Sequence, residues 1–203
     1  MSEYCAALQI DLEDLIGWIS HMDVEIKHAR NSKAIQRQLQ RQHQHQFMPN
    51  GDWTNPIIHQ LLTVRPMYTN DLDPPSQGVV IEEACRLGLL LFLAEIRRRC
   101  GVQPTRTAVL TEKLVAHLRA HSSTFGECEY PLLLWLLMMG ATEMVADHET
   151  RDFFLQNMRS VMCEYHIEGW EALLRILRGV LWTDEVHTTR AKTAYKEMES
   201  LSS

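Results

Sequence analysis

Three residues near the end of one predicted helix have types and spacing that could support nucleophilic catalysis. Cys163 and His166 are three positions apart, so a helix would place them on one face, and Glu168 follows shortly after. An imidazole next to a thiol can help to generate a reactive thiolate. However, Cys163 follows Met162 on what the pattern predicts to be a buried face, and no oxyanion-binding motif is nearby. The three residues are candidates for catalysis only if a pocket brings them together.

Carboxylates occur beside a histidine in two other places. These groups are Asp147, His148 and Glu149, and Asp184, Glu185 and His187. Such groups can transfer protons or bind a divalent ion. Both groups stand where a helix is predicted to begin, and helix starts collect acidic residues because these cap free N–H groups and complement the helix dipole. We therefore prefer the capping explanation.

A third candidate site is a cluster of methionine and tryptophan side chains. Flexible thioethers beside indole rings could line an adaptable pocket for a small molecule, although packing in the core is the alternative that we favour for most of them. The candidate lining residues are Trp135, Met138, Met139, Met158, Met162, Trp170 and Trp182.

Metal and cofactor motifs are missing from the sequence. His43 and His45 alternate with glutamines and have no carboxylate or cysteine close by, so we expect no metal site there. The five cysteines are scattered and lack the paired spacing of structural zinc sites, which fits reduced thiols in the nucleus or cytoplasm. The chain contains no glycine-rich phosphate loop, Gly-x-Ser-x-Gly turn or His-Glu-x-x-His helix, and we predict no cofactor.

Length and composition predict one globular domain spanning residues 1–203. The chain has 45% hydrophobic residues, which is ordinary for a folded protein, and a formal net charge of −6, which argues against direct binding to nucleic acid. Residues 36–54 are rich in Gln and His and are predicted to form a flexible insert. The longest apolar runs are about half the length needed to cross a bilayer, so we expect no contact with a membrane.

The apolar pattern predicts an all-α fold, an irregular multi-helix bundle with two buried central helices and about five amphipathic ones. Residues 79–99 and 131–146 are apolar on nearly all sides and are predicted to be the central helices. Amphipathic stripes follow at 57–64, 105–121, 151–166 and 170–182, and a last, polar helix starts after Thr183. Another stripe near the start of the chain consists of Leu8, Leu12, Leu15, Ile16, Ile19, Met22 and Ile26.

Several residues are predicted to mark helix ends. Asn55 should cap the helix that opens with Pro56, and Thr150 should cap the helix over 151–166. The run Arg97-Arg98-Arg99 is predicted to be a solvated helix terminus that complements the dipole, and this is preferred over a phosphate site.

The order of these elements resembles the helical regulatory domain of fungal zinc-cluster transcription factors. A helix of the form Glu-Ala-x-Arg-Leu-x-x-Leu-x-Phe-Leu is typical of that family. Later in the family's sequence an apolar helix ends in a pair of small residues such as Gly-Ala, an Arg opens the next helix, and a further helix starts with a Trp and ends near a second Trp. The similar stretches are Glu83-Ala84-Cys85-Arg86-Leu87-Gly88-Leu89-Leu90-Leu91-Phe92-Leu93, then Pro131 to Gly140-Ala141, Arg151-Asp152-Phe153-Phe154, Trp170-Glu171-Ala172-Leu173-Leu174 and Leu181-Trp182-Thr183-Asp184. The likeness covers most of residues 8–200, but the six-cysteine DNA-binding module of the family is absent.

The resemblance implies a transcription-factor-like regulatory or interaction domain that acts through protein partners, and through a small metabolite if one binds, with no DNA binding of its own. Arg86 and Arg151 are expected to anchor hydrogen bonds between helices. The alternative is a small helical enzyme of secondary metabolism built on the same scaffold, and we favour the non-enzymatic interpretation. The chain could be a fragment of a regulator or a stand-alone descendant, and a homo-oligomer is a further expectation, because a truncated domain could expose apolar surface that a second copy covers.

Overall fold

The computed structural model describes residues 54–63, 75–102, 106–143 and 147–201. These residues form seven α-helices and no strand, which confirms the all-α prediction. The helices are α1 Thr54–Thr63, α2 Gln77–Arg99, α3 Thr107–His121, α4 Tyr130–Ala141, α5 His148–Glu164, α6 Gly169–Val180 and α7 Asp184–Ser200. The apolar stripe over 8–26, the predicted insert up to residue 53, and His43 and His45 lie outside the described residues.

Helices α2 and α4 form the centre of the bundle, as their apolar sequences predict. α2 packs against α1, α3, α4 and α7, while α4 packs against α2, α5, α6 and α7. In each of them the middle of the helix is buried on all sides. Gly88 of α2 allows α4 to approach closely, and Gly140 of α4 allows α5 to approach closely. A Cβ atom at Gly88 would lie 2.5 Å from Cδ2 of Leu136, and a Cβ atom at Gly140 would lie 2.3 Å from the ring of Phe154.

The outer helices each bury one face against this centre. α5 buries Phe154, Met158, Val161 and Met162, as its pattern predicts. α7 was expected to be a polar helix, but it buries one face, which includes His187 and Tyr195. His187 stacks on the ring of Phe92, with 4.3 Å between ring centroids.

Some predicted helix ends are wrong by a few residues. α4 ends at Ala141 instead of residue 146, because the N–H of Glu143 donates to the carbonyl of Gly140, three residues back, while the hydroxyl of Thr142 occupies the carbonyl of Met139. The cap of α5 is Asp147 and not Thr150. The Asp147 carboxylate accepts a hydrogen bond from the N–H of Thr150 at 2.7 Å, which lowers the pKa of that carboxyl group.

The expectation that two arginines link helices is confirmed. The Arg86 guanidinium donates to the carbonyl of Leu61, which ties α2 to α1. Arg151 donates to the carbonyl of Ala141 at 2.9 Å and to Glu197 at 2.8 Å, so one side chain joins α5 to the end of α4 and to α7. In both cases a guanidinium satisfies a carbonyl oxygen at or near the end of a helix.

The prediction of a solvated terminus for Arg97-Arg98-Arg99 is wrong for Arg98. Its guanidinium donates to Glu95 at 3.0 Å and to Glu143, and both carboxylates are buried. Glu95 also accepts a hydrogen bond from Arg190 of α7. A buried carboxylate needs such partners to offset its lost hydration. The guanidinium of Arg98 is therefore held against Glu95 and Glu143 instead of extending into solvent. No helix in the described part of the chain combines the length and apolarity needed to cross a membrane.

Candidate functional site

The largest apolar concavity that we describe is a groove between α1, α2 and α3, with a volume of about 700 Å³. α1 and α3 both pack on α2, and the groove lies over α2 between them. Its lining residues are Ile58, Leu62, Leu90, Ala94, Arg97, Arg106, Thr107, Val109, Leu110 and Lys113. We refer to this set as the α1–α3 groove.

The α1–α3 groove exposes large apolar side chains that a folded protein would normally bury. Leu62 is 60% exposed and Val109 is 45% exposed, while Leu90 and Ala94 form a buried floor beneath them. Of the large hydrophobic residues that are exposed in the described part of the chain, only Leu201 lies elsewhere. Clustered exposed apolar surface is typical of a binding site.

The charged residues of the α1–α3 groove are all cationic. Arg97, Arg106 and Lys113 line it, and none of the three forms a salt bridge with a carboxylate among the described residues. Arg97 donates to the side chain of Asn55, but its Nε–H has no acceptor there. The three cations therefore give this groove a local charge opposite to the net charge of −6 of the whole chain.

The three catalytic candidates lie around one shallow pocket of about 360 Å³. Cys163, His166 and Glu168 line it together with Tyr195 and Glu199, at the turn between α5 and α6 and the facing side of α7. The side chains of the first three are exposed and make no hydrogen bond with one another. Burial and a hydrogen bond to Glu199 raise the pKa of Tyr195 to about 12, so its hydroxyl can still donate to that carboxylate at alkaline pH.

The prediction that Cys163 lies on a buried face is wrong, because its side chain is exposed. Cys163 lies nine residues after the buried Phe154, and at 3.6 residues per turn this places the two on opposite sides of α5. The exposed thiol lacks the enclosed, water-free environment in which acid, base and nucleophile are usually held together.

The methionine and tryptophan cluster is largely core. The side chains of Trp135, Met138, Met139 and Met158 are almost fully buried. The indole N–H of Trp135 donates to the carbonyl of Leu181 at 2.7 Å, and this fixes the ring against the end of α6.

The remaining members of the cluster lie nearer the surface. Met162 borders the Cys163 pocket. Trp170 and Trp182 are half-buried, the first with its ring edge-on to Tyr195 and the second with its N–H donating to Thr188. A small-molecule pocket lined by the whole cluster stays a prediction.

The preferred capping explanation holds for the first group of carboxylates with a histidine, while in the second group no side chain caps the start of α7. Asp147 caps α5, whereas Asp184 accepts three hydrogen bonds from Arg178 and one from the hydroxyl of Thr188. His187 is fully buried, and burial lowers its pKa to about 4, so the ring is neutral at physiological pH. Among the described residues, no group of His, Cys, Asp and Glu side chains is arranged to hold a metal ion.

Sequence reasoning missed the α1–α3 groove. Leu62 lies in a short predicted helix, and Val109 falls outside the apolar stripe of α3. An apolar residue on the otherwise polar face of an amphipathic helix is the one signal that could have indicated an exposed contact surface. Only the packing of α1, α2 and α3 shows that Arg106 and Lys113 border the same groove as Leu62.

Neither a family model, nor a curated protein, nor a solved structure matched this chain.

Proposed function

We propose that the chain is a regulatory or interaction domain, similar in role to the helical domain of fungal zinc-cluster transcription factors, and that it acts through a protein partner. The α1–α3 groove carries this proposal, because it exposes Leu62 and Val109 above a buried apolar floor. Helix-in-groove recognition needs this kind of surface, with a channel for apolar anchors at intervals of three and four residues. The partner would be an acidic amphipathic helix, which complements Arg97, Arg106 and Lys113.

The charge of the protein supports a role that does not involve contacting DNA directly. Three cations at one groove are offset by an excess of acidic residues over the whole chain. Phosphate-backbone binding relies on many Lys and Arg side chains that release counterions together. In a regulator of this kind, another module or another protein would hold the DNA.

A reporter assay with matched leucine variants tests this proposal. The full chain is fused to a heterologous DNA-binding module, and reporter expression is compared with that of the module alone. Leu62→Asp places a charge in the groove, whereas Leu201→Asp makes the same change at a leucine that is 48% exposed and distant from the groove in the sequence.

We expect the fusion to change reporter expression, Leu62→Asp to abolish that change and Leu201→Asp to preserve it. Circular dichroism melting of both variants checks that each is folded. If the fused chain has no effect on the reporter, or if the two variants behave alike, the proposed function is wrong.

An enzymatic function is the second candidate, and the shared pocket of Cys163, His166 and Glu168 is the observation in its favour. It requires a thiol more reactive than an ordinary exposed one. Cys128 is also exposed and provides the internal control. Mass spectrometry after brief treatment with iodoacetamide measures the rate of alkylation of each thiol. Faster alkylation of Cys163 than of Cys128, lost in His166→Ala, would support an enzyme. Equal rates at the two thiols would exclude activation of Cys163.

A further inference from the structure

We infer that the α1–α3 groove binds a straight-chain carboxylate, with the anionic head at one end of the groove and the alkyl chain along the apolar floor. The inference rests on the proposed function in one respect, since such a ligand would regulate the partner by occupying the same groove. Three observations carry it: the position of two cations at one end, a buried guanidinium N–H without an acceptor, and the length of the apolar floor.

The cations Arg97 and Arg106 lie at one end of the α1–α3 groove. Arg97 donates a hydrogen bond to the side chain of Asn55 at the start of α1. Its neighbour Arg98 donates to the hydroxyl of Thr107 at the start of α3, at 3.4 Å. The last turn of α2 and the first turns of α1 and α3 therefore meet here, and Arg97 and Arg106 line the groove at this meeting point.

This end of the groove is suited to a carboxylate. The Nε–H of Arg97 is buried and has no acceptor among the described residues, whereas a buried donor normally has a partner. No side chain among the described residues caps the start of α3, so the positive end of the helix dipole adds to the charges of Arg97 and Arg106. A carboxylate in this position would accept charge-assisted hydrogen bonds, which are stronger than neutral ones.

The rest of the floor is apolar and suits an alkyl chain. From Arg97 the floor on α2 continues through Ala94 to Leu90, with Ile58 of α1 and Leu110 of α3 beside it. Seven residues of α2 span about 10 Å, and an extended alkyl chain of about eight carbons has the same length. The volume of about 700 Å³ and the few polar groups among apolar ones are typical of a site for a small ligand.

Isothermal titration calorimetry of the full chain with hexanoate, octanoate, decanoate and dodecanoate tests the inference. Affinity should rise about three- to fourfold for each added methylene group, up to about eight carbons, because each one leaves water for the floor. It should then level off, since a longer chain extends beyond Leu90. Octan-1-ol has the same chain without the charge and should bind at least about tenfold more weakly than octanoate.

The variant Arg106→Asn tests the position of the head. Arg106 has a φ of 59°, and asparagine tolerates this left-handed conformation, so the variant loses the charge and keeps the backbone. Its affinity for octanoate should be at least about tenfold lower. Lys192→Gln removes an exposed cation of α7 and should leave the affinity unchanged, while Lys113→Gln, two turns along α3 from Arg106, should lower it less than Arg106→Asn does. Circular dichroism melting checks that each variant is folded.

Several results would overturn the inference. They are the absence of octanoate binding at millimolar concentration, equal affinities for octanoate and octan-1-ol, and an unchanged affinity in folded Arg106→Asn. A larger loss in Lys113→Gln than in Arg106→Asn would also overturn it, because the head would then lie at the other end of the groove.

The two proposals can fail separately. Octanoate binding by a chain without any reporter effect would keep the ligand site and remove the regulatory function. A reporter effect sensitive to Leu62→Asp, in a chain that does not bind octanoate, would retain the function and remove the ligand site. If both hold, octanoate added to a cell-free reporter reaction should reduce the effect of the fused chain, because ligand and partner occupy one groove.

Discussion

Replacing Gly140 by alanine should destabilise the protein, although alanine favours helices. Gly140 lies in α4, and a Cβ atom there would stand 2.3 Å from two ring carbons of Phe154 and 2.6 Å from a third. Non-bonded carbon atoms normally approach to about 3.5–4.0 Å. Phe154 is fully buried, so its ring has little space into which it can move.

The magnitude follows from two opposing terms. Alanine in place of glycine within a helix gains about 1 kcal/mol. Overpacking of a dense core costs about 1–3 kcal/mol and more where a ring cannot yield, and here we take about 3 kcal/mol. The free energy of unfolding of Gly140→Ala should therefore fall by about 2 kcal/mol.

Gly179 of α6 supplies the matched control. A Cβ atom there would meet no heavy atom within 4 Å, so Gly179→Ala should raise the free energy of unfolding by about 0.5 kcal/mol. Urea denaturation monitored by circular dichroism measures both variants. Phe154→Leu should relieve part of the cost of Gly140→Ala, which a double-mutant cycle detects. If Gly140→Ala were as stable as Gly179→Ala, the close packing of α4 on α5 would be wrong.

Three further changes in stability follow from the structure. Glu143→Ala removes a buried carboxylate partner of Arg98 and should lower the free energy of unfolding by about 3 kcal/mol, measured in urea; a loss under 1 kcal/mol would contradict the burial of this pair. Burial lowers the pKa of His187 to about 4 in the folded protein, against an ordinary value of 6.5, so the unfolded chain binds the proton more tightly. The stability that depends on its neutral form is complete above pH 6.5 and is lost as the pH falls toward 4, by about 3 kcal/mol in total. His187→Phe should flatten that part of the pH–stability profile, and an unchanged slope would refute the assignment. Trp135→Ala should cost about 3–5 kcal/mol, and Trp170→Ala should cost less, about 1–2 kcal/mol, because Trp170 is only half-buried; thermal unfolding of the two variants tests the order.

The central helices could be predicted because their signal is local. α2 is apolar on nearly all sides between Val80 and Ile96, and no arrangement of such a helix leaves it on the surface. The same reasoning predicts α4, but the apolar pattern predicts an end five residues too late. At that end the Thr142 hydroxyl takes the carbonyl of Met139 and Glu143 pairs with Arg98 of α2, and the second contact joins residues 45 positions apart.

The candidate site could not be predicted to the same degree. The chemistry of Cys163, His166 and Glu168 was visible from their spacing, and the structure does bring them to one pocket. Their exposure was not visible, because it depends on which side of α5 faces the core. The α1–α3 groove requires three helices separated along the chain, so Leu62 and Val109 gave almost no indication of a shared surface.

The pairing of Glu95 with Arg190 has a consequence for synthesis on the ribosome. Domains generally fold as units as the chain emerges from its N-terminal side, and here a carboxylate in the middle of the protein finds one of its counterions 95 residues later. Until α7 leaves the exit tunnel, docking of the earlier helices would enclose an anion that lacks this cation. We expect nascent chains halted before residue 190 to be more sensitive to protease than chains in which α7 is present.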